Sequence, residues 1–256
     1  MIKWPIILFT LLHYLFAADF KILSFNIHAL HPIIANDNPK GRLIKILKNT
    51  TNFEFIFFQE NWIFSDNYLT TISPNYNWFV SKDSGLTIGA FKDYNVLSVE
   101  NEFYDDCSGW LFKANDCLAS KGFQKMTISI DNEILDFYNT HLDAGNSESD
   151  FRVRELQVIH LLNYIISKSD SRPIILVGDL NINYLADTEL HLIHLLRKEI
   201  GLKLVNWFKD DTNQSEVLDY IFYRDIDLYQ KEFGINQVLD GLSDHPPIES
   251  RFILFE

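Results

Sequence analysis

Cysteine is nearly absent from this 256-residue chain: only Cys107 and Cys117 occur. Two thiols cannot furnish a cysteine-rich zinc ligand set, and no closely spaced histidine cluster replaces one. An even count close in sequence suits a disulfide in an oxidising compartment, closing a short loop worth roughly 2–3 kcal/mol; the other reading is two unpaired thiols. Basic residues are also scarce, 22 Lys and Arg against 35 Asp and Glu, for a formal net charge of −13. That balance disfavours a surface that coats nucleic acid, although an acidic protein can keep a local basic cleft. Seven prolines and ten glycines form no rich tract, which excludes a flexible linker and predicts one compact domain. No internal repeat is visible. What is abundant is apolar material, 47% hydrophobic and 14% aromatic, enough to bury a large core.

The N-terminus is a segment apart. Lys3 precedes an apolar run from Ile6 to Phe16 and then Ala17-Ala18-Asp19, the order of a secretory signal peptide. The run is short for a bilayer span. We therefore expect a signal peptide over residues 1–18, a single catalytic domain over 19–256, and a secreted protein, extracellular or periplasmic. Because His13 interrupts the run, the alternative is an uncleaved membrane anchor. Asn49-Thr50-Thr51 and Asn213-Gln214-Ser215 are glycosylation acceptors only in a eukaryotic host.

Alternation predicts a strand over Phe20–Asn26, and a denser apolar run predicts a buried one over Phe53–Phe58, ending in Gln59-Glu60. Helical spacing follows from Gly41 to Thr51. From Tyr76 to Tyr104 short alternating strands with turns at Ser84-Gly85 and Lys92-Asp93 predict antiparallel hairpins. Lys121-Gly122 opens a strand to Ile130, and Asp131-Asn132 turns it back through Ile134–Thr140 to His141. The clearest helix is Asp150–Lys168, with Leu156, Ile159, Leu162, Ile165 and Ile166 on one side and Arg152, Arg154 and Glu155 on the other. A second is predicted over Asp187–Ile200, capped by Asp187 and closed by Gly201.

Between these helices Ile174-Ile175-Leu176-Val177 runs into Gly178-Asp179-Leu180-Asn181, a buried strand with a carboxylate at its mouth. An unpartnered buried acid costs roughly 2–7 kcal/mol, so Asp179 needs backbone donors or a site to serve. The pattern recurs. Asn26, Glu60, His141, Asp179, Asn181, Asp219, Asp244 and His245 each stand at or beside the end of an apolar strand, and a sheet sandwich can gather such ends at one edge. Oxygen donors of this kind suit Mg²⁺ or Ca²⁺. A divalent ion beside two imidazoles fits in-line displacement at phosphorus, one histidine activating water and another group protonating the leaving oxygen.

Six motifs taken in order, Leu23-Ser24-Phe25-Asn26, Gln59-Glu60, Asn139-Thr140-His141-Leu142, Gly178-Asp179-Leu180-Asn181, Leu218-Asp219-Tyr220 and Ser243-Asp244-His245-Pro246, resemble the endonuclease/exonuclease/phosphatase superfamily from Phe20 to Phe255. The resemblance implies an α/β (α+β) fold, a four-layer αββα sandwich of the DNase I-like type, and Mg²⁺-dependent phosphoester cleavage, with Mn²⁺, Co²⁺ or Ca²⁺ as substitutes. It makes Glu60 the principal metal ligand with Asn26 beside it and Asp244 as a further one. It makes His245 the general base, oriented by Asp219. Asp179 and Asn181 would position the nucleophile and a phosphate oxygen, and His141 would donate to phosphate or protonate the leaving group.

Asp116-Cys117-Leu118-Ala119-Ser120-Lys121-Gly122 is similar to the segment of neutral and bacterial sphingomyelinases in which an Asp precedes a Lys-Gly pair. Ser84-Gly85-Leu86 and the Arg154-x-x-Gln157 helix resemble that branch too. Lys121 and Asp116 are the substrate-binding residues it implies, Lys121 as a point charge on phosphate and Gly122 as room for close backbone approach; the other reading is that Lys121 begins a strand in solvent. The expected substrate is then a phosphodiester, a choline sphingolipid at a membrane surface, cleaved by a monomer to release phosphocholine. Only twenty-four residues separate Asp219 from Asp244, which leaves no room for the long apolar hairpin of some bacterial members. Trp62, Phe64, Trp110 and Phe112 are core residues or lipid contacts. His28 and His31 follow the Asn26 strand and could approach the metal, although loop histidines are ordinarily solvated, and His191 and His194, at i, i+3 on a helix without matching carboxylates, suit a surface or packed role better than metal binding. Three alternatives are carried. A secreted DNase I-like nuclease would need more basic loops than Arg152, Arg154, Lys82 and Lys113 supply. An inositol-polyphosphate phosphatase would need more cations at the site. A non-catalytic binding protein predicts lost site residues, yet every expected position is filled.

Overall fold

The computed structural model describes residues 16–32, 37–108, 120–130, 133–205, 216–224 and 226–255. Residues 1–15, which hold most of the expected leader, and the segment with Asp116, Cys117, Trp110 and Phe112 lie outside the described residues, as does the Asp131-Asn132 turn. Among the described residues no helix is long and apolar enough to cross a membrane.

The elements in chain order are β1 (Phe16–Ala29), α1 (Pro39–Lys48), β2 (Phe55–Asn61), α2 (Asp66–Ile72), β3 (Tyr76–Ser81), β4 (Leu86–Phe91), β5 (Asn95–Phe103), β6 (Gly122–Ile130) and β7 (Glu133–His141). They continue with α3 (Glu148–Lys168), β8 (Ile174–Asp179), α4 (Leu190–Glu199), β9 (Lys203–Leu204), β10 (Asp219–Arg224), β11 (Leu228–Ile235) and β12 (Ile248–Phe255). The strands form two six-stranded mixed sheets, ordered β11-β12-β1-β2-β4-β3 and β5-β6-β7-β8-β10-β9.

Period-two alternation explains the stacking. Phe55 and Phe57 point from β2 into the core shared with Met126, Phe137, Ile175 and Val177 of the second sheet. Ile56 and Phe58 point the other way and pack with Leu43, Ile46 and Leu47 of α1 and Leu69 of α2. A strand buried on both faces reads as an unbroken apolar run. On the far side Val158, Leu161 and Ile165 of α3 and Leu192, Ile193 and Leu196 of α4 cover the second sheet. The result is the four-layer αββα sandwich, as expected.

Three local expectations are corrected. The buried stripe of α3 is Arg154, Gln157, Val158, Leu161, Leu162 and Ile165, while Leu156, Ile159 and Ile166 are exposed. Hydrophobicity misdirected the reading because Arg154 and Gln157 have buried polar partners: Gln157 accepts from the Asp143 amide at 2.8 Å and donates to the Asp106 carbonyl at 2.9 Å. Helix α4 starts at Leu190 with Glu189 as N-cap and no side-chain cap bond, since the Glu189 carboxylate is held by Arg154. Only the first of the expected hairpins, β3–β4, exists; after Lys92-Asp93 the chain crosses to the other sheet, where β5 pairs with β6. Helix α2, capped by the Ser65 side chain, and the edge strand β11 were not anticipated.

Candidate active site

Register brings the polar strand ends together. In the first sheet β1 and β2 run parallel with Asn26 opposite Gln59, so Glu60 emerges beside Asn26. In the second, β7 and β8 run parallel with His141 opposite Asp179, and β10 runs antiparallel with Asp219 opposite Asp179. Gly178 makes that pairing feasible. Its φ is +149°, and a Cβ there would lie 2.0 Å from the Thr140 carbonyl oxygen. Beneath the site a polar floor joins the sheets: Gln59 donates to Asn139 Oδ1 at 2.7 Å, and Asn139 donates to the Phe58 carbonyl at 3.1 Å and the Thr87 carbonyl at 3.2 Å. Both side chains are buried.

Asp179 is the hub. Its Oδ1 accepts from the Asn181 amide at 3.0 Å and its Oδ2 from Asn26 Nδ2 at 3.0 Å, with His141 Nε2 at 3.5 Å and His245 Nε2 at 3.6 Å. This supplies the partners that its burial demanded. Asn181 also donates to the Leu142 carbonyl at 3.0 Å, fixing its loop to the end of β7. His245 Nδ1 lies 2.8 Å from Asp219 Oδ2. Burial alone would lower the His245 pKa, but the charges of Asp219 and Asp179, the hydrogen bond to Asp219 and the charge of Asp244 outweigh it and push it up to about 10. Burial pushes the Asp219 carboxyl up to about 6 against the pull of His245. The imidazole is therefore held by Asp219 with one nitrogen and turned toward Asp179 with the other.

Lys121 is buried, and its ammonium lies 2.8 Å from His141 Nε2 and 3.2 Å from Nδ1. The solvent reading of this residue is thus wrong. Gly122 has a different role from the one expected: a Cβ there would lie 2.2 Å from the Glu102 carbonyl oxygen, so its close approach is to strand β5.

The second pole of the site is Glu60, with φ +57°. Burial opposes its ionisation, but hydrogen bonds from His28 and Asn26 and the charges of His141 and Lys121 hold its carboxyl far below the usual carboxylate range. His28 Nδ1 lies 3.2 Å from Glu60 Oε2 and 3.6 Å from Asp244 Oδ2. Asp244 sits at the rim, its side chain 60% exposed. Glu60, Asn26 and Asp244 are hard oxygen donors suited to Mg²⁺ or Mn²⁺, and the strongly ionised Glu60 meets the first requirement of such a ligand. The trio Asp179, Asp219 and His245 also has ligand atoms within 4.8 Å of one another and could hold an ion, with two of those residues already joined by the 2.8 Å His245–Asp219 contact. Beyond His28 and Asp244 a cleft of about 510 Å³ opens, lined by Asp37, Arg42, Lys45 and Ser243 among others.

Every expected site residue within the described residues converges here; Asp116 lies outside them. His31 is exposed, as are His191 and His194 on α4. Trp62 is half-buried and Phe64 buried. His28 is the residue that sequence reasoning undervalued. Its signal was its place two residues after Asn26, on the same face at the period of a strand.

The sequence matches the description "Endonuclease/Exonuclease/phosphatase family 2" over residues 83–217, just over half of the chain. It is 21% identical over 266 aligned residues to a sphingomyelinase of Mycobacterium tuberculosis, covering 90% of this chain and 52% of the relative; the chain thus spans about half the length of the curated relatives it matches. A beta toxin variant from Staphylococcus aureus with bound magnesium ions superposes with a TM-score of 0.69 at 17% identity, covering 91% of this chain and 99% of that one. A mannosyl-6-phosphatase from Bacteroides thetaiotaomicron gives a TM-score of 0.70 at 15% identity, with coverage of 91% and 99%. Those likenesses, with the sandwich and its converging strand ends, agree on one assignment: the chain belongs to the endonuclease/exonuclease/phosphatase family.

Proposed function

We propose that this protein is a secreted, Mg²⁺-dependent phosphodiesterase of the sphingomyelinase type, which releases phosphocholine from a choline sphingolipid by attack of water at phosphorus. The observation that carries this reading is the buried ammonium of Lys121 against His141. A single phosphodiester anion needs one such charge. Arg42 is paired with Asp37 and donates to the His28 carbonyl, and Arg154 is committed to Glu189, so neither supports binding of a multiply charged substrate. The Mycobacterium sphingomyelinase points the same way.

Glu60, Asn26 and Asp244 would hold the divalent ion, whose chemistry is to neutralise charge on the phosphoryl oxygens. Lys121 holds a phosphate oxygen as a point charge. His245, its Nδ1 bonded to Asp219, takes the proton from water at Nε2. Asp179 and Asn181 orient that water and the phosphate, and His141, within 3.5 Å of Asp179, donates to phosphate or to the leaving oxygen. We further propose export directed by residues 1–18, an oxidised Cys107–Cys117 pair and a monomeric enzyme.

A second reading, hydrolysis of a phosphomonoester such as a sugar phosphate, draws on the polar cleft beside Asp244 and on the mannosyl-6-phosphatase neighbour. The deciding experiment gives the purified chain Mg²⁺ and compares sphingomyelin vesicles, a sugar phosphate and plasmid DNA. Phosphocholine release that is abolished by EDTA and by Glu60→Gln, and reduced on the order of 10²–10⁴-fold by His245→Ala, is expected. Cleavage of the sugar phosphate or DNA without phosphocholine release would replace the substrate assignment.

A further inference from the structure

We propose that Tyr104, the residue that follows β5, is a positioning residue of the reaction: it clamps the Lys121–Gly122 peptide and so sets where the Lys121 ammonium stands beside His141. This inference rests on the reading of Lys121 as the charge that holds a phosphate oxygen.

Tyr104 reaches that peptide by two routes. Its amide donates to the Lys121 carbonyl at 3.0 Å. Its phenol oxygen lies 2.8 Å from Thr140 Oγ1, which in turn lies 3.0 Å from the Gly122 carbonyl oxygen. Proton count fixes the direction of these bonds. A carbonyl only accepts, so the single Thr140 hydroxyl proton goes to Gly122, and the Tyr104 phenol is the donor to Thr140. Burial pushes that phenol well above its ordinary pKa against the hydrogen bond with Thr140, which keeps the proton in place across the neutral range. The carbonyls of two successive residues, Lys121 and Gly122, are therefore both tied to Tyr104, one directly and one through Thr140.

The strands around the clamp leave little slack. Gly122 stands opposite Phe103 of β5 and opposite His141 of β7, and Thr140 immediately precedes His141. One small buried network thus borders both members of the Lys121–His141 pair, whose nitrogens lie 2.8 Å apart. The Tyr104 ring is itself held, its centroid 5.6 Å from Phe123 and 5.6 Å from His160. A lysine carries its charge on a flexible four-carbon stem, so precise placement of the ammonium depends on the backbone that bears it. A shift of about 1 Å in a group that acts on the reacting centre costs on the order of 10²-fold in rate.

Tyr104→Phe keeps the ring and its packing and removes only the phenol oxygen. With Mg²⁺, turnover of sphingomyelin and of bis(p-nitrophenyl) phosphate by the full chain should fall about 10–100-fold, while Tm falls by only about 2–4 °C, the effect of one buried hydrogen bond. Thr140→Ser, which keeps the hydroxyl relay, should stay within about threefold of the wild type, and Thr140→Val, which breaks it, should match Tyr104→Phe. A double-variant cycle reads the route: in a Lys121→Ala background Tyr104→Phe should cost less than about threefold, because the charge that it positions is gone. Undiminished turnover in Tyr104→Phe, equal effects of the two Thr140 substitutions, or full additivity with Lys121→Ala would overturn the Tyr104 assignment and leave the Lys121 reading standing. Activity that Lys121→Ala leaves unchanged, or a wild type that cleaves neither diester, would overturn the Lys121 reading and the Tyr104 assignment with it.

Discussion

Replacing Arg154 by alanine should be among the most damaging single changes outside the active site. Its guanidinium is fully buried and makes four contacts: Nε and NH2 grip the two Glu189 oxygens at 2.9 and 2.7 Å, and NH1 donates to the carbonyls of Asp143 at 2.9 Å and Gly145 at 2.8 Å. Alanine would strand the Glu189 carboxylate, whose side chain is 8% exposed, and leave those carbonyls without that donor. Breaking a buried pair from one side costs about 3–5 kcal/mol. For a chain of this size each kcal/mol lowers Tm by roughly 2–4 °C, so a fall of about 6–20 °C is expected in thermal denaturation followed by circular dichroism. Arg154→Lys should rescue little, because one ammonium cannot reproduce a planar fork spanning a carboxylate and two carbonyls. The double variant Arg154→Met, Glu189→Leu removes the stranded charge and should recover at least about half of the loss. A single variant that loses less than about 1 kcal/mol, or a double variant no better than the single, would refute the account.

Two further outcomes follow from the site. His245 must lose its proton to accept one, and because the surrounding carboxylates raise its pKa, activity should climb with rising pH on the acid side of the profile; Asp219→Asn removes one of those charges and should move that limb to lower pH while cutting kcat. A limb that stays in place or moves to higher pH would detach His245 from it. Gln59→Leu removes the donor to Asn139 Oδ1 but also the Gln59 Oε1 atom, which has no hydrogen-bond partner among the described residues, so a modest net loss of about 1–2 kcal/mol is expected by urea denaturation, with kcat falling as Glu60 loses its tie to β7. A raised urea midpoint would show the polar floor to be dispensable for stability.

The elements that end at the site are legible from the amino-acid order alone. Apolar runs punctuated by Asn26, Glu60, His141, Asp179 and Asp219 are local patterns, because a strand buried on both faces is legible from its composition and a polar residue at its mouth from contrast. The motif order then named the sandwich. Other features depended on partners remote in the chain. Arg154 looks like a surface residue until Glu189, thirty-five positions away, is placed against it. The chain after β4 looks like another hairpin, yet β5 pairs in the opposite sheet because Val99 lies opposite Met126, not beside β4. The positive φ of His28, Glu60 and Asn181 leaves no sequence signature at non-glycine residues. Only packing of the two sheets over the polar floor set those backbones, brought His28 at the end of β1 to within 3.2 Å of Glu60, and gave Asp179 the neighbours that its burial required. Local hydrophobicity encodes which residues go inside; the long-range pairings that satisfy the polar ones among them exist only in the folded chain.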